Sequence, residues 1–456
     1  MRINILILGF LFMGIGKAIS QEKRWTLQEC VAYAIENNIT IKQSALNIES
    51  ADIDKSDAIG NFLPSLNASA SNFWSSGLSA DPISGTNRTQ TFRSSNYGIG
   101  AEINLFDGLR NVRQFQRAKL NQLLSQYNLG KSKDDIALFV ANSYLQLLLN
   151  KESLKVIEKQ HDITLESLKR TTDLVEAGVL PQGDLLEIEA TSSDEITRIV
   201  QAENAVQIAR VSLAQTLLIK DYEKFDIAEQ EYLEPSSKIL DKSIEEIRST
   251  ARTSRYEVQI AEQNKLLAEK DLEIARGNYY PSLTGSFSIG TTESDAEGIV
   301  FDDMGVPMTV GAAPFFDQFS DNYGISYGLS LSIPIFNGFS VRNAVKRSKI
   351  NIKSADFQLE QAELDLDSNV YQAYLDAKGS AKAYEASKVS VKAQERAYEY
   401  AKDRYDVGLT NAFDFSQSKF RLENAQSNAV QAKFDYIFKI KVLELYFGIK
   451  LADIKL

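Results

Sequence analysis

The sequence predicts a mainly α-helical fold carrying four β-strands of membrane type, the whole doubled by an internal repeat. Three observations predict it. The chain states nearly the same motif series twice. Two proline-free stretches of about 70 residues read as long helices. Four segments of about ten residues alternate apolar with polar side chains.

The repeat comes first, because it sets the domain organisation. Gly60-Asn61-Phe62-Leu63-Pro64-Ser65-Leu66 returns as Gly277-Asn278-Tyr279-Tyr280-Pro281-Ser282-Leu283, 217 positions later. Tyr97-Gly98 returns as Tyr327-Gly328, Phe106-Asp107-Gly108 as Phe336-Asn337-Gly338, and Tyr144-Leu145 as Tyr374-Leu375, all 230 positions later. Gly178 and Asp184 return as Gly408 and Asp414 at the same offset. About 13 extra residues therefore sit between Leu283 and Tyr327. A period this long is far beyond the roughly 20–50 residues of solenoids. It reads as two equivalent halves, which overrides a length-based expectation of about three domains.

Residues 1–20 read as a secretory signal peptide. Met1-Arg2-Ile3-Asn4 precedes an apolar run from Ile5 to Ile15, and Ala18-Ile19-Ser20 forms a small-residue cleavage site before Gln21. The run is too short for a spanning helix of about 20 residues. Its removal takes Arg2 and Lys17 and moves the net charge from −11 to −13. So acidic a chain argues against nucleic acid as a partner.

The remaining boundaries follow. The first repeat spans 21–220, with a leading helix, strands at about 64–75 and 95–107, a long helix over 108–178 and a returning helix over 182–220. An equatorial linker takes 221–240. The second repeat spans 241–456, with strands at about 281–290 and 323–336, a long helix over 338–407 and a returning helix over 411–448.

In the leading helix stands Cys30, the only cysteine, so no intramolecular disulfide can form. Leu27-Gln28-Glu29-Cys30 superficially resembles a lipoprotein site, but Glu29 occupies the place of a small residue. The simpler reading of Cys30 is a small buried apolar residue.

Each strand has one apolar and one polar face. Leu66, Ala68 and Ala70 alternate with Asn67, Ser69 and Ser71; in Tyr97 to Leu105 the apolar residues alternate with Gly, Gly, Glu and Asn. Leu283, Gly285, Phe287 and Ile289 alternate with Thr284, Ser286 and Ser288, and Tyr327 to Ile335 follows suit. Ten residues is the length of a tilted strand crossing a bilayer, with lipid on one face and a watery lumen on the other. A soluble half-buried hairpin shows the same pattern; the signal peptide and the missing globular core favour the membrane. Four strands cannot close a barrel, and an open edge cannot be left in lipid. Closure must therefore be intermolecular. A trimer would supply 12 strands and 12 helices, although the strand count by itself does not select three.

Each long helix reads as one element or as two stacked ones, with Gly130 the best interruption in the first. About 70 residues at 1.5 Å rise make roughly 105 Å, a coiled-coil-like rather than globular length. Tyr384, Ala386, Val389, Val391, Ala393, Ala397, Tyr398, Ala401 and Tyr405 form more than one stripe, as a helix flanked on both sides in a closed palisade requires. After residue 20 no apolar run approaches 18 residues; the best, Phe139 to Leu149, is broken by Asn142, Ser143 and Gln146. A multi-span helical transporter is thereby excluded.

The order of short helix, Pro-Ser-Leu strand, strand ending in Phe-x-Gly, long helix, glycine tip and returning helix, twice over, resembles the TolC-type outer-membrane efflux and secretion channel family. The opening Trp25 to Asn38 is similar to that family's L-x-x-A-x-x-x-A-x-x-x-N start, with Cys30 where alanine is usual. Tyr405-Asp406-Val407-Gly408-Leu409-Thr410, followed by Asp414, is similar to its second helical-tip motif. The resemblance implies a homotrimer with a β-barrel among outer-membrane lipids and a helical tunnel through the periplasm. It also implies docking to a periplasmic adaptor and an inner-membrane pump, in efflux or type I secretion, as a passive exit duct.

The resemblance also directs attention to the tips. In the family, aspartates of the second tip ring the closed periplasmic entrance, and the motif places Asp414 on one of them. The next such position is Gln417, and the position basic in some members is Thr410, which argues against a salt-bridge latch there. Gly178 and Gly408 suit left-handed helix ends. Asp184 with Glu187, and Asp414 with Gln417, also fit capping boxes, so a plain capping role stands beside the gating one. The apolar tip residues Val179, Leu180 and Leu409, beside Gly178 and Gly408, are candidates for adaptor contact or for packing between the hairpins.

Chemistry is missing from the sequence. His161, the only histidine, lies in a long helix without ligand partners nearby, and no phosphate loop or Cys/His cluster occurs. No cofactor is expected. The acidic loop Thr291 to Asp321, with Glu293, Asp295, Glu297, Asp302, Asp303 and Asp317, could offer oxygens to calcium or simply be solvated. Two rivals remain. An adhesive coiled-coil surface protein predicts no period-two strands. A secreted enzyme predicts titratable clusters in a compact core.

Overall fold

The computed structural model describes residues 24–80, 87–228 and 239–449. The expected signal peptide at 1–20 lies outside them, as do residues 229–238 of the expected linker. Among the described residues no helix is long and apolar enough to cross a membrane.

A first run of elements comprises β1 (Arg24–Trp25), α1 (Leu27–Asn37), α2 (Ile39–Gly60), β2 (Ser65–Ala80), β3 (Asn87–Phe106), α3 (Arg110–Glu176) and α4 (Gln182–Thr216). A second comprises β4 (Asp226–Ile227), α5 (Ile244–Ser254), α6 (Tyr256–Gly277), β5 (Ser282–Ser294), β6 (Gly298–Phe301), β7 (Pro307–Val310), α7 (Phe315–Asp321), β8 (Gly324–Ser332), α8 (Ser340–Asp406) and α9 (Ala412–Tyr446). Helices at matching places have equal lengths: 11, 22, 67 and 35 residues in each run. The second run carries β6, β7 and α7 besides, between β5 and β8.

Both strand-to-helix turns solve the same geometric problem in the same way. Gly108 and Leu109 have φ of 73° and 65°, and Gly338 and Phe339 have 60° and 64°. Two successive left-handed residues reverse the chain, and the second side chain stays in solvent (Leu109 51% and Phe339 50% exposed). Gly130 does not interrupt α3, which is continuous across it. A helical glycine costs only about 1 kcal/mol, and this one admits a neighbour: a Cβ there would meet the Tyr256 ring at 2.3 Å.

The chain divides into two compact units. One is drawn from Met1–Lys42, Lys131–Arg255 and Leu366–Leu456, the other from Gln43–Gly130 and Tyr256–Asp365. In the first unit a capping box starts α1: Glu29 N–H donates to the Thr26 side chain, whose backbone N–H donates back to the Glu29 carboxylate at 2.9 Å. Cys30, Val31 and Ala34 of α1 pack with Tyr144, Leu147 and Leu148 of α3, Leu213 of α4 and Ile437 of α9. Cys30 is fully buried, the small apolar role expected of it. Tyr144 donates its hydroxyl to the carbonyls of Trp25 and Ala228, 3.3 Å to each, beside the parallel pair β1–β4.

The second unit holds an antiparallel sheet ordered β2-β3-β5-β8. Strands stand at the expected places with other bounds: β8 ends at Ser332, short of 336 and of Pro334, which has no N–H for the ladder, and β2 and β3 stay paired to Ala80 and Asn87, beyond the alternating part of the sequence. Register aligns Ala68, Ile99, Ile289 and Ile325 across all four strands, with Ala101, Phe287 and Tyr327 one step on. These occupy one face. Ser69, Gly98, Gly290 and Gly324 align on the other, followed by Gly100, Ser288 and Ser326. A bulge interrupts β3 between Asn104 and Phe106. The outer strands β2 and β8 each have a single partner in this sheet.

Candidate gate at the hairpin tips

Both hairpin tips lie in the first unit, and both are built by backbone hydrogen bonds before any side chain contributes. In the turn from α3 to α4, Gly178 (φ 71°) donates to Val175 O at 3.0 Å and Val179 to Leu174 O at 2.8 Å. In the turn from α8 to α9, Gly408 (φ 76°) donates to Tyr405 O at 3.0 Å and Leu409 to Arg404 O at 2.8 Å. These are paired Schellman bonds, in which a left-handed residue lets the last carbonyls of a helix be satisfied.

The aspartates do not cap their own helices, contrary to the capping-box alternative. Pro181 holds the N-cap of α4 and offers no side-chain bond. Asn411 holds the N-cap of α9, accepting from Asp414 N–H at 2.9 Å. Asp184 instead reaches across to the other hairpin, where its carboxylate accepts from Ala412 N–H at 3.4 Å. Asp414 is exposed and accepts only a local bond, from Thr410 Oγ1 at 3.2 Å. Gln417, one turn further along α9, is also exposed.

The two hairpins are clamped together just behind their tips. Arg170 of α3 pairs with the Asp406 carboxylate of α8 at 3.0 Å and donates to its carbonyl at 3.1 Å. The Thr171 and Tyr405 hydroxyls share a buried bond of 2.8 Å. Tyr405 stacks on Phe415 at 4.9 Å within a cluster that includes Ile188, Tyr398 and Leu422. Burial pushes the Tyr405 phenol up, and that of Tyr398 to about 12, so both stay neutral. Leu180 packs against this cluster, whereas Val179 and Leu409 are 66% and 68% exposed. The apolar tip residues thus divide: Leu180 joins the hairpins, and the other two face outward.

Beyond the clamp lies a feature the sequence reading missed. Lys419 of α9 places Nζ 2.6 Å from Glu195 Oε1 of α4, with both side chains almost fully buried, and donates also to Thr164 Oγ1 of α3. His161 Nδ1 stands 3.2 Å from the other oxygen of Glu195. Arg198 pairs with Glu423 at 2.5 Å, and Gln160 donates to Gln426 at 2.9 Å. Burial holds Lys419 below the ordinary lysine value, against the pull of Glu195, and holds Glu423 above the usual carboxylate range, against Arg198. An open groove of about 480 Å³ runs alongside, lined by Glu187, Asp194, Arg198, Gln417 and Phe420 among others. The overlooked signal was phase: Lys419 follows Phe415 by four and precedes Leu422 by three, and Glu195 follows Ile188 by seven. Charges at those positions fall on the apolar stripe.

Among the described residues no cluster of three or more His, Cys, Asp or Glu gathers as a metal site would require. Two acids of the 291–321 loop have partners: Asp302 accepts locally from Met304 and Val306 N–H, and Glu293 pairs with Arg93 of β3.

A chain of long paired helices, glycine-tipped hairpins and a four-stranded antiparallel sheet has the architecture of an outer-membrane channel protein. The family model for the outer membrane efflux protein matches residues 31–217 and 247–446, and the chain belongs to that family. Outer membrane protein TolC of Vibrio cholerae serotype O1 is 22% identical over 335 residues, covering 72% of this chain and 71% of that one. Cation efflux system protein CusC of Escherichia coli O157:H7 is 22% identical over 377 residues, covering 80% and 72%. Among solved structures, outer membrane protein VceC from Vibrio cholerae superposes with a TM-score of 0.77 at 15% identity, covering 92% of this chain and 96% of that one. The Campylobacter jejuni CmeC outer membrane channel gives 0.77 at 16% identity, covering 98% and 94%. Membership makes this chain an efflux channel protein of the outer membrane.

Proposed function

We propose that three copies of this chain assemble into a passive exit duct that docks on a periplasmic adaptor and an inner-membrane pump. The observation that carries the reading is the four-stranded sheet with two open edges and one continuous apolar face. In lipid, unpaired N–H and C=O groups at an edge each cost several kcal/mol. A second copy offers the complementary edge, so pairing β8 of one protomer with β2 of the next removes the cost. The same argument applies to α8, where Phe357, Val389 and Tyr400 are 70%, 71% and 67% exposed in the single chain. Side chains this apolar call for cover by neighbouring copies.

In this reading the tips are the gate. Asp414 is released from capping by Asn411, so its carboxylate is available to a ring of three at the entrance. Thr410 and Gln417 complete the constriction beside it, and Asp184 fixes the first tip to the second. Val179 and Leu409, raised by the turns at Gly178 and Gly408, present the apolar surface for adaptor helices. The energy comes from the pump.

Conductance in planar bilayers tests the gate. Asp414→Ala is expected to raise conductance and weaken cation preference; unchanged conductance and selectivity would sink the ring. Gel migration tests assembly: outer-membrane material should run as a trimer unheated and as a monomer after boiling. A species soluble in the periplasm would refute the duct.

A further inference from the structure

The extra residues of the second run form α7 and the hairpin β6–β7, and they do not cap the end of the sheet at random. Helix α7 lies against the apolar face. Its Phe315 and Phe319 rings pack on Tyr97 of β3 at 6.1 and 5.7 Å. Thr291 Oγ1 of β5 donates to Phe319 O at 3.0 Å, and the Gln318 side chain bonds both the N–H and the carbonyl of Ser294, at 3.0 and 2.9 Å. Tyr97, Thr291, Ile99 and Ile289 share the apolar side of the register. Beneath α7 an open hollow of about 310 Å³ is lined by Ala68, Tyr97, Ile99, Ile289, Phe319 and Tyr323.

We propose that this loop is a collar lying in the outer leaflet, and that the hollow beneath α7 seats a lipid acyl chain. The proposal rests on the reading of the sheet as a membrane wall. Three observations favour lipid as the occupant. The hollow is continuous with the apolar face of the sheet, so whatever solvates Ile289 and Phe287 solvates the hollow. The outer side of the collar is apolar too: Phe316 is 80% exposed, Met304 86% and Phe301 60%, values that water penalises and an aromatic membrane belt accommodates. And α7 sits over β3 and β5, the two inner strands, whereas another copy adds at the edge strands β2 and β8. Just past Tyr97 the face turns polar: Arg93 and Ser95 both bond Glu293, at 2.6 and 2.9 Å. Aromatic residues stand next to this transition, where the apolar band of a membrane protein ends.

Tryptophan quenching in vesicles of phosphatidylcholine brominated on its acyl chains tests the proposal with the full chain. The native tryptophans are Trp25 and Trp74. Trp74 pairs in register with Arg93, past the polar transition, so the wall is read at Phe287, 45% exposed on the apolar part of the face. In a background of Trp25→Phe and Trp74→Phe, Phe287→Trp reports on the wall. In the same background Phe316→Trp reports on α7; Met304→Trp is a second probe of the loop. Brominated lipid is expected to remove most of the emission from each probe, shallow bromines acting most strongly on position 316, with aqueous iodide having little effect. Quenching at position 287 by lipid with position 316 open to iodide would overturn the collar and leave the wall intact. Protection of position 316 from both quenchers would assign its cover to protein and also overturn it. An indole at position 287 insensitive to brominated lipid would remove the wall and the collar together.

Discussion

Glu195→Gln is expected to be among the most damaging single substitutions in the helical hairpins. The Lys419–Glu195 pair is 2.6 Å long, and its side chains are 3% and 2% exposed. At that distance two unit charges attract by roughly 6 kcal/mol if the effective dielectric constant is about 20. Bringing each ion out of water costs several kcal/mol, so the pair as a whole is close to neutral for stability. The amide substitution removes the attraction but not the cost for Lys419. The expected loss is about 3–5 kcal/mol. Lys419→Met should cost a similar amount, by leaving the Glu195 carboxylate buried against His161. The double variant Glu195→Leu with Lys419→Met removes both buried charges and should be at least as stable as the native chain. Hydrogen exchange of the α4 and α9 amides around positions 195 and 419 measures this locally. At a factor of ten per 1.4 kcal/mol, each single variant should exchange roughly two to four orders of magnitude faster. Singles within tenfold of the native rate, or a double variant worse than either single, would refute the reasoning.

Three further outcomes follow from the same geometry. Lys419 has a folded-state pKa below its ordinary 10.5, so its charged form burdens the fold at lower pH; the burden should lift as pH rises through the folded pKa towards the unfolded one, visible as greater protection of the α9 amides relative to unstructured amides at the same pH. Tyr405→Phe removes the buried bond to Thr171, worth about 1 kcal/mol, and should raise open probability in planar bilayers, unless the clamp does not hold the tips. Gly130→Ala drives a Cβ to 2.3 Å from the Tyr256 ring and should destabilise by about 1–3 kcal/mol, read from heat resistance; a neutral result would mean that Tyr256 has room to move.

The helices and the faces of the strands were legible because each has a period that hydrophobicity must follow. The strand lengths were not. Beyond Ser71 the sequence reads Asn72-Phe73-Trp74-Ser75-Ser76, with no alternation, yet the ladder continues to Ala80. Backbone pairing does not need an amphipathic face once a neighbouring strand is in place. Gly130 misled for a related reason: a glycine in a helical run reads as a break in sequence, while its use here is a close approach by a ring remote in sequence. The buried charges were hidden because a lone lysine or glutamate is normally a solvated one. Only its phase with Phe415 and Leu422 marks Lys419 as different.

The tip aspartates show how far a sequence repeat predicts chemistry. Asp184 and Asp414 are equivalent by offset, and each stands three residues after an N-cap. What separates them is the cap. Asn411 has a side-chain oxygen, takes the Asp414 N–H and leaves the Asp414 carboxylate in solvent. Pro181 has none, and Asp184 turns to the Ala412 N–H of the other hairpin. The first N–H of α9 and the Asn411 side chain are thus both used within the tips, while the second carboxylate keeps only a hydroxyl partner. One aspartate of the pair joins the hairpins, and the carboxylate of the other stays in solvent. Replacing Asn411 by an apolar residue should therefore draw Asp414 back towards the helix start, coupling the cap to the gate. If Asn411→Ala leaves conductance and ion preference at native values while Asp414→Ala changes them, the two positions are independent and this link between cap and gate is wrong.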